Sequence, residues 1–161
     1  MRLESTNTPD LYKVWMTDDE LEELRRAATS HRDGLIIQLA AFVRLRAFET
    51  PQICPKHVKR TPDGEHFRLR VPKGKDTTGN GGKPRDAYLL SDVEGDIHRY
   101  QAAEDIDRHK PLVNLTERAV RAGVKRTAER AAEETGDENF RTSVRTISGD
   151  ASRSGFWSTG K

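Results

Sequence analysis

The sequence has little cysteine and no long apolar run. Its single cysteine, Cys54, excludes an internal disulfide, and no group of cysteines and histidines has the spacing of a metal site. No stretch approaches the roughly 20 apolar residues of a membrane-spanning helix. The first residues also lack the basic and then apolar layout of a secretory signal peptide. These absences favour a reduced, cytoplasmic protein with no metal site and no membrane partner.

The net charge is also small, at +2, so it does not by itself indicate a nucleic-acid partner. Of the 161 residues, 34% are hydrophobic and 34% are charged, which predicts one domain with a modest core and a strongly charged surface. Positive charge is concentrated in the middle of the chain, in KHVKR (56–60), FRLRVPKGK (67–75) and GGKPR (81–85). Such stretches can contact phosphates, although a solvated charged surface gives the same pattern.

Helical patterns occupy both halves of the chain. Residues 1–16 show little periodicity and are expected to form an irregular lead-in. A capping box at 17–20 predicts a helix over about 17–29, and the nearly all-apolar stretch 35–43 predicts a buried helix. The remaining helical expectations are a short turn at 47–53, a helix that begins with a capping box at Ser91 and runs to about 103, and a long helix capped by Thr116 that runs to 135.

The middle of the chain changes to the two-residue period of strands. Residues 57–60 and 66–71 alternate around TPDG (61–64), which predicts a hairpin. A third strand is expected at 86–90, after the glycine-rich segment 72–85. The order predicts an α+β domain, mainly helical, with a small three-stranded antiparallel sheet. Residues 141–161 carry no such pattern and are expected to be a disordered tail.

Two stretches carry residues that suit phosphate chemistry. In FVRLRAFETPQI (42–53), Arg46 and Glu49 are three positions apart. An arginine anchored against a core can present its guanidinium fork to a phosphate, although an ordinary arginine–glutamate helix pair has the same spacing. Lys73, Lys75 and Lys83 lie on or around the turn between the second and third strands. A lysine there can reach a DNA groove or protonate a leaving oxygen, although a solubilising loop also explains these lysines.

Together these stretches resemble the catalytic domain of tyrosine recombinases (the phage-integrase family), and especially haloarchaeal site-specific integrases. That family has a G-L-R-x-x-E-type box after a buried helix. A three-stranded sheet follows, with a catalytic lysine at the turn of strands two and three. Here the box reads RLRAFE (44–49) and the turn reads KGKDTTGNGGKPR (73–85). The resemblance covers about residues 11–140 and implies a partial catalytic domain at 17–140, incomplete at the C-terminus.

The resemblance implies DNA integration or recombination through strand cleavage and rejoining, with no metal or small-molecule cofactor. In that mechanism a tyrosine attacks the scissile phosphate, two arginines bind its non-bridging oxygens, and a lysine protonates the leaving oxygen. Arg46 matches the first arginine, Glu49 its supporting acid, and Lys75 the lysine, with Lys73 as the competitor. The further DNA-binding candidates are Lys73, Lys83 and Arg85. Double-stranded DNA is the implied partner, and pairing of protomers on DNA is a further expectation.

The sequence departs from the family pattern in several places. Arg44 stands where glycine is usual, and Thr50 stands where an aliphatic residue is usual. The family's later H-x-L-R box, its further His or Trp and its nucleophilic tyrosine match no position after Phe140, and both Tyr88 and Tyr100 precede the place of that box. The chain is therefore expected to be catalytically incomplete. The alternative is a non-catalytic DNA-binding or interaction protein.

The tail that follows Phe140 indicates how the later box was lost. When the third base of each codon is joined to the first two bases of the next, the codons of residues 146–149 allow the reading H-D-L-R. This reading falls at about the place where the family has its box. Our hypothesis is that a frameshift near Phe140 replaced the distal catalytic region with an unrelated reading and an early stop.

Overall fold

A computed structural model describes residues 1–9, 11–76, 79, 81–147 and 157–159 of the chain. The helices are α1 (Asp18–Arg26), α2 (His31–Ala41), α3 (Ser91–Ala103), α4 (Glu117–Thr135), α5 (Asn139–Thr142) and α6 (Val144–Ile147), with short 3₁₀ helices at Thr50–Gln52 and Pro55–His57. The strands are β1 (Arg2–Ser5), β2 (Tyr12–Met16), β3 (Val58–Arg60), β4 (Phe67–Val71), β5 (Arg85–Leu89) and β6 (Trp157–Thr159). Among these described helices, none combines the length and apolarity needed to cross a bilayer.

The central sheet has the order β3-β4-β5 and is antiparallel throughout, which confirms the predicted α+β class. Leu69 lies opposite Val58 on one side and Ala87 on the other. Because side chains alternate across a strand, β4 and β5 each have one buried face and one exposed face. The buried side chains are Leu69, Val71, Ala87 and Leu89. The exposed ones are Arg68, Arg70, Asp86 and Tyr88.

Helix α2 lies at the centre of the helical layer, as its apolar sequence predicts. It packs against α1, α3 and α4, and four of its large apolar side chains are at most 1% exposed. These four are Leu35, Ile36, Ile37 and Leu39. A helix surrounded in this way holds the chain that leaves its C-terminal end at a defined place, and that chain is the Arg46 segment.

Side-chain caps set where α1, α2 and α4 begin, and Ser30 is the cap residue of α2. The hydroxyl of Thr17 accepts a hydrogen bond from the amide of Glu20 (3.2 Å), and the Glu20 carboxylate accepts one from the Thr17 amide (2.8 Å), so the predicted capping box forms. Thr116 caps α4 as expected. The capping box predicted at Ser91 is wrong. The chain turns from β5 directly into α3 with Leu90 as the cap residue, so Ser91 already lies inside the helix.

The expected irregular lead-in is also wrong. Residues 2–5 and 12–16 form an antiparallel hairpin in which Arg2 lies opposite Trp15 and Ser5 lies opposite Tyr12. Val14 and Met16 are 0% and 1% exposed, so β2 is held by the burial of its inward side chains in the core. These contacts join the start of the chain to the helical layer, and no local sequence pattern predicts them.

The expectation of a disordered tail over 141–161 does not hold for its described part. Residues 141–147 continue in the short helices α5 and α6, and the side chains of Ser143 and Ile147 are buried with Phe140. Residues 157–159 form β6, which pairs in parallel with β2. The remainder of the tail, 148–156 and 160–161, lies outside the described residues.

A polar cluster ties α2 to α3 through the carboxylate of Asp96. It accepts a hydrogen bond from the Gln38 amide (2.6 Å), lies 3.1 Å from the His31 ring nitrogen and pairs with Arg99 at 3.2 Å. Burial alone would raise the pKa of Asp96, but the hydrogen bonds from Gln38 and His31 outweigh burial and hold the pKa below its usual range. The charged form is therefore the one that stabilises the fold.

We expect Asp96→Asn to destabilise the protein by about 1–3 kcal/mol at neutral pH, because hydrogen bonds to a partly buried charge are lost. A pKa lowered on folding stabilises the fold above the unfolded pKa of about 4, and this contribution disappears as the pH falls through the folded value. The difference between wild type and variant should therefore shrink in acid. Urea unfolding at neutral pH and below pH 4 measures it. An unchanged difference in acid would contradict this account, and Asp92→Asn, at an exposed position of α3, is the control.

Candidate functional site

The site is organised around the carboxylate of Glu49, which is 0% exposed. One carboxylate oxygen accepts hydrogen bonds from the Arg46 backbone amide (2.8 Å) and from Nη2 of Arg85 (2.8 Å). The other oxygen accepts from Nε of Arg85 (3.2 Å) and from Nη1 of Arg46 (3.5 Å). Four donors thus satisfy a fully buried charge, which would otherwise be strongly unfavourable.

The predicted pair of Arg46 and Glu49 is brought together, but most of the carboxylate's side-chain contacts are to Arg85. Arg85 opens β5 and lies on the same side of that strand as the buried Ala87. Its guanidinium donates twice to Glu49 and once to the Arg44 carbonyl at 3.3 Å. Arg85 was predicted only as a DNA contact. Arg85 lies two and four positions before the buried Ala87 and Leu89 and therefore faces the same side of the strand. An arginine in such a position is the sequence signal for a buried carboxylate partner.

Two guanidinium groups share one carboxylate, so the site keeps an excess of one positive charge. Within the described residues, the Arg46 guanidinium reaches Glu49 by a single contact of 3.5 Å and its side chain is 27% exposed. Arg85 holds Glu49 at 2.8 Å and uses more of its donors inside the protein. Arg46 therefore keeps more of its donors for an external anion, whereas Arg85, although 33% exposed, is the main partner of the buried acid.

The chain reaches this site through an unusual backbone conformation at Arg44. Its φ is 59°, in the left-handed region that glycine adopts freely and other residues rarely do. Glycine would adopt this conformation without strain. Arg44 adopts it at a cost in strain, and its carbonyl oxygen accepts a hydrogen bond from Arg85.

The lysine turn is fixed at its base to the arginine segment by Gln52. The Gln52 side chain accepts from the amide of Lys73 (3.1 Å) and donates to the carbonyl oxygens of Lys73 (3.3 Å) and Phe48 (3.0 Å). Sequence reasoning missed Gln52, because no local pattern shows that a glutamine side chain will bond to the backbone amide and carbonyl of a residue far along the chain. Its contacts bring the turn and Arg46 to the same end of the central sheet.

A second contact closes the base of the turn. The amide of Gly74 donates to the carbonyl oxygen of Lys83 at 2.9 Å. A Cβ added to Gly82 would lie 1.8 Å from the Gly74 carbonyl oxygen, so that position requires glycine. Lys73, Lys75 and Lys83 are all exposed on this turn, while residues 77, 78 and 80 lie outside the described ranges.

The tyrosines named from the sequence lie in different environments. Tyr100 is 6% exposed on α3, with its ring 5.1 Å from the His31 ring. Tyr88 is 59% exposed on the face of β5 opposite to that of Arg85.

Among the described residues, one exposed group of Asp63, Glu65 and His66 has donor atoms close enough for a metal. Asp63 already accepts hydrogen bonds within the hairpin turn, so this group is explained as turn structure.

Comparisons with known proteins agree with this architecture at the level of the fold. No protein-family model and no curated protein matches the chain. Among solved structures, the crystal structure of XerA recombinase is similar, with a TM-score of 0.57 and 18% identity. The match covers 92% of this chain and 58% of that chain, so this chain spans less than two thirds of the recombinase. The chain therefore has a recombinase-like fold.

We expect Arg44→Gly to stabilise the protein by up to about 1 kcal/mol, because glycine removes left-handed strain that exceeds its own entropic cost. The contact to Arg85 should survive, because it uses the backbone carbonyl. Thermal unfolding measures the effect, and Arg44→Ala is the matched control, since it removes the side chain and keeps the Cβ. Equal stability changes in the two variants would contradict the strain at Arg44.

We expect Glu49→Gln to destabilise the protein by about 3–5 kcal/mol, because it leaves two arginines around a buried group that no longer carries charge. Asp86→Asn is the matched control, since Asp86 also bridges two arginines, Arg68 and Arg70, but is 39% exposed. Its loss should stay below about 1 kcal/mol. Denaturant unfolding of both variants compares them, and similar losses would show that burial of Glu49 contributes little.

Proposed function

We propose that the chain binds double-stranded DNA as a partial catalytic domain of the tyrosine-recombinase type. The observation that carries the proposal is the buried Glu49, held between Arg46 and Arg85 beside the base of the lysine turn. The fold shared with a recombinase supports the same conclusion. The associated reaction class is site-specific recombination or integration, in which DNA strands are cut and rejoined.

Each proposed role follows from the chemistry of a phosphodiester. A phosphate that approaches Arg46 meets a guanidinium whose remaining donors are directed by an anchored backbone, so little entropy is lost on binding. Glu49 fixes that backbone through its contact to the Arg46 amide. Lys75, or Lys73, reaches from the turn toward the groove, where an ammonium beside a scissile phosphate can donate a proton to the leaving oxygen. Lys83 adds positive charge to the same turn.

We infer that this chain binds DNA and does not cut it. Phosphoryl transfer of this type needs a nucleophilic tyrosine and a second arginine on the phosphate. The three tyrosines of the chain are Tyr12, Tyr88 and Tyr100, and all of them precede the segment in which the family carries its nucleophile. Tyr100 is buried, and Tyr88 lies on the sheet face opposite to that of Arg85. We assign Arg85 to the buried acid and not to the role of the second arginine, because its Nε and Nη2 donate to Glu49 and to the Arg44 carbonyl.

The proposed origin of this incompleteness is a frameshift near Phe140. In the shifted frame the codons of residues 146–149 allow the reading H-D-L-R, about where the family has its histidine and second arginine. The encoding DNA tests this directly. We expect the shifted frame to continue beyond the box into a further His or Trp and a tyrosine, and a frame that meets an early stop instead would rule the frameshift out.

We expect Arg46→Ala to weaken binding to duplex DNA about tenfold, because a charge-assisted contact to a phosphate is lost. The slope of log affinity against log salt should also fall by about 1, as for the loss of one phosphate contact. Fluorescence anisotropy over a salt series measures both quantities. Arg130→Ala is the control, since Arg130 is exposed on α4 and paired with Glu134 at 2.7 Å. Equal effects of the two substitutions on affinity and salt dependence would show that Arg46 does not contact the DNA.

We expect no covalent protein–DNA adduct when the chain is incubated with a pool of nicked duplexes, because no tyrosine is placed to attack a phosphate. Denaturing electrophoresis of labelled DNA detects such an adduct. An adduct that disappears in Tyr88→Phe or Tyr100→Phe would show that the chain is a complete enzyme with a displaced nucleophile. The affinity series on the same DNA shows in parallel whether non-covalent binding occurs.

A further inference from the structure

The exposed side of the central sheet carries several charged side chains and one aromatic ring. We call it the outer face, and it consists of Lys59, Arg68, Arg70, Asp86 and Tyr88 on β3, β4 and β5. Arg68 and Arg70 are 44% and 47% exposed in their side chains, and Tyr88 is 59% exposed. The face therefore combines three cations and a large aromatic ring with a single carboxylate.

The register makes this face electrostatically unfavourable in the isolated protein. Lys59 lies directly opposite Arg68 on the neighbouring strand, and like charges in that position destabilise a sheet. Arg68 and Arg70 both draw on Asp86, at 3.7 Å and 3.2 Å. Within the described residues, no carboxylate lies within ion-pair distance of Lys59. An anionic ligand would relieve a repulsion that Asp86 compensates only at Arg68 and Arg70.

Tyr88 gives this face a second binding property. It lies directly opposite Arg68, in the same cross-strand row as Lys59. Its ring is 5.8 Å from the His66 ring in an edge arrangement, which restrains it while leaving it largely exposed. An exposed aromatic ring beside an arginine, with a lysine one strand further along the row, suits nucleic acid, because bases stack on the ring while the cations bind the backbone.

The outer face is separate from the site around Glu49. Arg85 and Ala87 point to the buried side of β5, whereas Asp86 and Tyr88 point to the opposite side. A ligand on the outer face and a phosphate bound by Arg46 would therefore lie on opposite sides of the sheet. The ligand must also differ from duplex DNA, because the bases of a duplex are stacked on one another and do not offer their faces to Tyr88.

We propose that the outer face binds a single strand of nucleic acid, with its phosphates on Lys59, Arg68 and Arg70 and one base stacked on Tyr88. A single strand alternates anionic phosphates with flat apolar bases, and this matches a row in which Lys59 and Arg68 precede an exposed ring. The proposal does not depend on the proposed function of the Arg46 site, because the two surfaces lie on opposite sides of the sheet.

The decisive variant is Lys59→Glu, for which stability and binding should change in opposite directions. A glutamate at 59 faces Arg68 and replaces a repulsion with an attraction, so the melting temperature should rise by about 1–3 °C. The affinity for an oligothymidine single strand should fall about fivefold to tenfold at low salt, because a phosphate contact is lost. Lys125→Glu, on the exposed surface of α4, changes the net charge by the same amount and is the matched control.

The second variant, Tyr88→Ala, isolates the ring. It should weaken binding of the single strand about tenfold while binding to a duplex of the same length changes little. The proposal is overturned if wild type does not bind the single strand, if Lys59→Glu and Tyr88→Ala weaken it no more than Lys125→Glu does, or if both variants weaken duplex binding equally. Arg46→Ala, measured in parallel, should reduce duplex binding alone, so a failure of either surface is recognised separately.

Discussion

The buried carboxylate of Glu49 is the interaction on which the arrangement of this protein depends. It accepts from the Arg46 amide within its own segment and from the guanidinium of Arg85, which comes from the central sheet. The helical layer and the sheet are therefore joined by one charge that neither could bury alone. Because Arg85 supplies most of the compensation, Arg46 keeps donors that Glu49 does not use.

Around this carboxylate the chain uses backbone polar groups to place its flexible cations. Gln52 bonds both the amide and the carbonyl of Lys73, and Gly74 bonds Lys83 across the base of the turn. The lysines themselves remain exposed at the end of a fixed base. Long side chains have much rotamer entropy, so a rigid base limits the positions that these cations can reach. The chain thus holds two arginines, a buried carboxylate and the lysine turn at one end of a recombinase-like fold.

The elements that sequence reasoning recovered are those with strong local signals. The apolar run of α2, the caps at Thr17 and Thr116 and the alternation of β4 all depend on neighbours within a few residues. Reasoning failed at Ser91, where the end of the sheet sets the start of the helix. It also failed over residues 1–16, because two short strands are held by burial of Val14 and Met16 in a core that lies elsewhere in the chain.

The sequence by itself determined the fold class, the pairing of Arg46 with Glu49 and the lysine-bearing turn, because spacing and period encode each of them. Only the tertiary structure decided that Arg85 is a partner of Glu49, that Gln52 fixes the turn, and that Lys59 faces Arg68. Arg85 and Glu49 are 36 positions apart, and Gln52 and Lys73 are 21 apart. No local pattern couples such positions. They meet because the register of the sheet and the burial of α2 bring the start of β5 and the lysine turn against the segment that follows α2.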